Sequence, residues 1–210
     1  GYTPLRRAIE SRLTERFGHT RDGNDVMITT GGEQGIELAC KALCNPGDAV
    51  LCEEPSFIGA LNSFRSLGAV PVGVPMDADG INVEAFEEAA VRTGARLAYL
   101  IPTFQNPSGI TMSAEKRRAV YEIACRRSII IIEDNPYGEL RFAGSGVDTI
   151  KSIDREGAVI YCSSFSKILA PGIRIGFVQA PIAVISKMVV AKQVEDVHTP
   201  MLTQMLAYAF

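Results

Sequence analysis

Val26-Met27-Ile28-Thr29-Thr30-Gly31-Gly32-Glu33-Gln34-Gly35 decides how the chain folds: a short β-branched run, a glycine-rich turn, then the opening of a helical stretch over 33–43. That is a strand feeding a helix. Working outward, the same alternation recurs along the whole chain. Strands are expected over 26–29, 49–52, 70–74, 97–101, 129–132, 158–162 and 174–179. Helices are expected to begin at Thr3-Pro4, a cap followed by a proline at the first helical position, and over 33–43, 58–67, 83–91, 114–126 and 182–197. Asn45-Pro46-Gly47-Asp48 is a turn. Strands alternating with helices predict an α/β fold, a mostly parallel sheet flanked by helices on both faces.

Composition narrows the task. With 210 residues and 47% hydrophobic content the chain can bury one sizeable core, and its mean hydropathy is +0.12. No apolar run approaches the ~20 residues that span a bilayer, and the start, Gly1-Tyr2-Thr3-Pro4-Leu5-Arg6-Arg7, is not a signal peptide. The expected compartment is the cytoplasm. Five cysteines, Cys40, Cys44, Cys52, Cys125 and Cys162, sit in apolar runs without a C-x-x-C pair and are expected as buried, reduced thiols. His19 and His198 are too few and too far apart for a zinc site. A net charge of -3 gives no reason to expect nucleic acid or a membrane surface as partner, so a small molecule is the expected one. The apolar stretch over 201–210 stops without a cap or polar tail, as a helix would if cut.

In open α/β sheets ligands bind beyond the carboxyl ends of the strands, so the residues after each strand carry the chemistry. The first expected strand runs into Gly31-Gly32-Glu33, where small residues and a helix start suit an anion such as phosphate; a turn that merely packs a helix on a sheet would look the same. The strand over 97–101 leads to Gln105-Asn106-Pro107-Ser108-Gly109, which alone is turn chemistry. The strand over 129–132 leads to Glu133-Asp134-Asn135-Pro136-Tyr137, and two acids after four isoleucines are costly to bury without a cation or metal. The strand over 158–162 leads to Ser163-Ser164-Phe165-Ser166-Lys167, with Arg174 beyond. A lysine between two apolar strands, flanked by hydroxyls, is poorly explained as a surface residue and well explained as an amine for Schiff-base chemistry. Ser164-Phe165-Ser166-Lys167 also satisfies the S-x-x-K pattern of serine β-lactamases, but the partner motifs Ser-Asp-Asn and Lys-Thr-Gly are absent.

Together these blocks, with Glu54-Pro55-Ser56-Phe57 and Pro171-Gly172-Ile173-Arg174-Ile175-Gly176, resemble the fold type I pyridoxal-phosphate (PLP) aminotransferases of class I/II. The likeness is strongest to the kynurenine/2-aminoadipate and broad-specificity aromatic branch, and it spans the chain. It implies an aspartate aminotransferase-like large domain over 1–210, with the N-terminal segment and the small C-terminal domain of such proteins missing from it. It implies pyridoxal 5'-phosphate, held by Lys167 as a Schiff base, with Asp134 on the pyridine nitrogen and Asn106 and Tyr137 on the phenolic oxygen. Phe57 would stack on the ring, and Gly32, Glu33, Ser164, Ser166 and Arg174 would bind the phosphate. Two positions depart from the family pattern: Phe57 stands where many relatives have tyrosine, and Glu33 where a neutral residue is common. The implied reaction moves an amino group from an amino acid to a 2-oxo acid by a ping-pong cycle, in a homodimer. Two alternatives share the scaffold: the PLP-sensing effector domain of a GntR-type transcriptional regulator, and a PLP-dependent lyase.

Overall fold

The computed structural model describes all 210 residues, and the strand-turn-helix unit over 26–43 is the start of an eight-stranded sheet. The strands are β1 (Asn24–Thr29), β2 (Ala49–Glu54), β3 (Val70–Asp77), β4 (Gly80–Ile81), β5 (Leu97–Leu100), β6 (Ile130–Asp134), β7 (Val159–Ser164) and β8 (Gly176–Pro181). The helices are α1 (Thr3–Phe17), α2 (Gly32–Leu43), α3 (Ile58–Ser66), α4 (Val83–Thr93), α5 (Ala114–Arg127), α6 (Ile150–Ile153), α7 (Ile182–Glu195) and α8 (Met201–Ala209). Across the sheet the order is β1-β8-β7-β6-β5-β2-β3-β4. The five central strands from β7 to β3 are parallel, whereas β8 is antiparallel to both β7 and β1, and β4 is antiparallel to β3.

Period-two alternation along the strands fills two interiors at once. Val50, Cys52, Leu97, Tyr99, Ile132, Ile160 and Cys162 pack with Ile36 of α2, Phe64 of α3 and Met188 of α7. Their neighbours Leu51, Ala98, Leu100, Ile131 and Val159 face the other way, onto Phe86 of α4, Val120 of α5 and Ile150 of α6. A third cluster lays Leu5, Ile9 and Leu13 of α1 and Ala207 of α8 on Val26, Ile28 and Phe177. Both faces are therefore covered, as expected.

Several boundaries differ from expectation for local reasons. The strand expected from Arg174 starts at Gly176, because Arg174 sits in a left-handed conformation (φ 52°) closing a 3-10 turn over Pro171–Ile173. The strand expected over 129–132 runs on to Asp134, so the two acids lie within β6 and point to opposite faces. The hairpin strand β4 and the one-turn α6 are too short to leave a periodic signal. All five cysteines are free, but only Cys40, Cys52 and Cys162 are buried; Cys44, the C-cap of α2, and Cys125, in the last turn of α5, are half-buried. No helix is long and apolar enough to cross a membrane.

Candidate functional site

Because β8 runs antiparallel to both its neighbours, β1 points the same way as β7, β6, β5 and β2, and all five carboxyl ends reach one edge. The amino end of β8, just after Arg174, lies there too. At this edge a cavity of about 240 Å³ is lined by Gly32, Glu33, Phe57, Asn106, Asp134, Tyr137, Ser164, Ser166, Lys167 and Arg174, together with Ile36, Ile101 and Pro136. Every residue that the family resemblance implies for the cofactor is in this wall.

One side of the cavity is built for an anion. The first N–H groups of α2, which opens at Gly32, have no partner within the helix. Gly31 caps it with φ 84°, and a Cβ there would lie 2.1 Å from Arg174 Nη2. A Cβ on Gly176 would lie 2.5 Å from the Gly31 carbonyl carbon, so only glycine lets the turn rest directly on the start of β8. Arg174 lies against Gly31 and Ser164 against Gly32 at this helix start, and Ser166 lines the same cavity, so a cation and hydroxyls accompany the free N–H groups. The Glu33 side chain turns elsewhere: its Oε2 would be 2.9 Å from a Cβ on Gly59, which also abuts the Phe57 ring. Burial, with Glu37 adding to it, pushes the Glu33 carboxyl up while Arg174 opposes the shift.

The same cavity presents Asp134, only 7% exposed at the end of β6. Its Oδ2 accepts one side-chain hydrogen bond, from the Tyr99 hydroxyl at 2.6 Å. Burial pushes its carboxyl up to about 7, the Tyr99 bond pulls it down, and Glu33 adds to the rise. A buried carboxylate with a single donor, facing a cavity, is set to take a cationic hydrogen-bond partner. Tyr99 belongs to this site and was not singled out from the sequence. In a strand of apolar residues it passes for core, and only the register of β5 against β6 puts it beside Asp134.

The acidic pair separates in function as it does in direction. Glu133 is fully buried and accepts the backbone N–H groups of Ile150 (2.9 Å) and Lys151 (2.7 Å), so it caps α6. For Glu133 two backbone amides take the place of the cation or metal that its burial would otherwise call for, and no cluster of three His, Cys, Asp or Glu side chains suits a metal ion. Lys167 also differs from expectation: it is exposed, with Nζ 6.0 Å from the centroid of the Tyr137 ring. Its segment, between β7 and β8 in the chain, is a turn beyond the sheet edge.

The sequence matches the family described as "Aminotransferase class I and II" over residues 1–209, and the chain belongs to that family. It is 40% identical to the "Aromatic-amino-acid aminotransferase 1" of Thermococcus litoralis over 100% of this chain and 52% of that protein. The solved structure of Pyrococcus horikoshii kynurenine aminotransferase, in complex with PMP and with KYN and KYA as substrates and products, superimposes with a TM-score of 0.96 at 40% identity, covering 99% of this chain and 52% of that one. An uncharacterized HTH-type transcriptional regulator of Escherichia coli K12 is 39% identical over 85% of this chain and 38% of its own length. The chain thus spans about half the length of the relatives it matches.

The cofactor of the family is pyridoxal 5'-phosphate, and the wall fits it. A phosphate would find the α2 start and Arg174, a protonated ring nitrogen the singly bonded Asp134, an aromatic ring Phe57, and an aldehyde the Lys167 amine.

Proposed function

We propose that these residues are the cofactor-binding part of a PLP-dependent aminotransferase that moves an amino group from an amino acid to a 2-oxo acid. The observation that carries this is the convergence of ten residues from separate chain segments on one cavity, with Asp134 buried and Lys167 in the same wall. PLP, when bound, supplies an electron sink for the pair left at the substrate α-carbon. Lys167 would hold the cofactor through Nζ and, once released by substrate, take the proton from the α-carbon. Asp134 would hold the proton on the pyridine nitrogen, steadied by Tyr99. Asn106 and Tyr137 would donate to the phenolic oxygen, Phe57 would cover the ring, and the Gly32 and Glu33 N–H groups with Ser164, Ser166 and Arg174 would grip the phosphate.

The whole protein would work in the cytoplasm as a homodimer. The free cysteines favour a reducing compartment, and Val190, Val194, Leu202 and Leu206, at 62%, 85%, 71% and 53% exposed on α7 and α8, offer apolar surface for association. The test is product analysis with the full-length protein: stoichiometric 2-oxo acid from donor and amino acid from acceptor is expected. Pyruvate and ammonia released without an acceptor would indicate a lyase instead.

A second reading, a PLP-sensing regulator, is favoured by the likeness to HTH-type regulators. A basic DNA-binding domain ahead of this one, with sequence-specific DNA binding and no turnover, would establish it.

A further inference from the structure

Gln105 is 2% exposed and uses its whole side-chain amide. Nε2 donates to Glu53 Oε2 at 3.3 Å and to the Pro55 carbonyl at 2.8 Å, while Oε1 accepts from the Ser108 N–H at 2.8 Å and the Ser108 hydroxyl at 2.6 Å. Two donors and two acceptors fix the orientation of the amide, since a flipped group would set NH2 against the Ser108 N–H and oxygen against oxygen. Its backbone closes the same turn, with Gln105 N–H on the Ile110 carbonyl at 2.8 Å and Gly109 N–H on the Gln105 carbonyl at 2.6 Å. Beneath it Glu53, also 2% exposed, accepts the Ile101 N–H at 3.0 Å with the same Oε2, and its Oε1 has no partner.

A buried carboxyl with an idle oxygen is an expensive way to pack a strand, and burial pushes this one up to about 7. What it joins explains its presence. Pro55 is two residues before Phe57, and Gln105 directly precedes Asn106; Phe57 and Asn106 stand in the cavity wall on loops that follow different strands, β2 and β5. We propose that Glu53 and Gln105 form a positioning pair that clamps the Phe57 loop to the Asn106 loop and so sets the shape of the cofactor cavity. The cofactor half of this statement rests on the function proposed above; the clamp between the loops does not.

The experiment takes the full-length protein as Glu53→Leu, Glu53→Gln and Gln105→Leu, and measures amide hydrogen exchange without PLP together with PLP affinity by titration. A clamp acts across the gap. Gln105→Leu must speed exchange at Leu61, whose N–H donates to the Phe57 carbonyl at 3.2 Å, and Glu53→Leu must speed it over 105–110, each by roughly tenfold, as expected from losing a buried hydrogen bond. PLP should bind roughly tenfold more weakly to both. Glu53→Gln keeps an oxygen for Ile101 and Gln105 and should stay within about twofold of the parent on both readouts. If Glu53→Leu does not fold, the Gln105→Leu and Glu53→Gln arms still decide. A Gln105→Leu protein with a lower melting temperature but parental exchange at Leu61 would overturn the proposal, leaving the pair a local packing feature. Failure of the parent protein to bind PLP would refute the proposed function, while the exchange measurements would still judge the clamp.

Discussion

Tyr99→Phe removes one hydroxyl and little else. The Tyr99 ring is buried and meets Phe64 edge-on, centroids 5.7 Å apart, so phenylalanine keeps the packing and global stability should change little. What is lost is the 2.6 Å bond to Asp134 Oδ2, which favours the ionised carboxyl against burial. A hydrogen bond to a charged group is worth about 1.5–3 kcal/mol, so Asp134, already up to about 7, should titrate roughly one to two units higher in the variant. Around pH 7.5 the carboxyl would then be mostly protonated and unable to receive a protonated ring nitrogen, weakening PLP binding by up to about tenfold. Carboxyl carbon shifts followed by NMR through a pH titration of the PLP-free protein measure the first effect, and PLP titration measures the second. An Asp134 that titrates at the same pH in both proteins would refute the claim that Tyr99 sets its charge.

Other outcomes follow from the same contacts. Because burial raises Asp134 from its ordinary 3.8 to about 7, the folded PLP-free protein holds a proton that the unfolded chain releases; its stabilising contribution is full below about 3.8 and is lost as pH rises to about 7. The difference between melting curves of the parent and Asp134→Asn across that window isolates this group from Glu53 and His19, and a flat difference would contradict it. Glu133→Ala strands the Ile150 and Lys151 amides and should cost about 3 kcal/mol, or on the order of 10 °C in melting temperature, without changing the ligand chemistry of the cavity. Gly176→Ala puts a methyl 2.5–2.7 Å from the Gly31–Gly32 backbone, shifts the start of α2, and should weaken inorganic phosphate and PLP binding together, as titration would show.

Much of the fold and site can be traced to single residues in the sequence, and the exceptions share a cause. Runs such as 129–132 mark strands by composition, and the strand ends and the turns after them hold Phe57, Asn106, Tyr137, Ser164, Lys167 and Arg174, as expected where ligands gather at carboxyl ends. Strand direction leaves no such mark: β8 is as apolar as its neighbours, and only the short link holding one 3-10 turn, too little for a crossover, reveals that it returns antiparallel. Tyr99 was illegible because its meaning depends on lateral register. Glu133 and Asp134 look equivalent in sequence and differ only through the pleat, which sends one to the start of α6 and the other to the cavity. The exposure of Lys167 depends on where a turn lies in space, which local pattern does not encode.

The central claim is that Lys167 is the amine to which the cofactor attaches. The full-length protein should be incubated with PLP, reduced with borohydride, digested and mapped by mass spectrometry, beside a Lys167→Ala variant. The expected result is a pyridoxyl group on Lys167 and loss of the visible absorption band in the variant. A pyridoxyl group on another lysine, or a band that survives in Lys167→Ala, would contradict it.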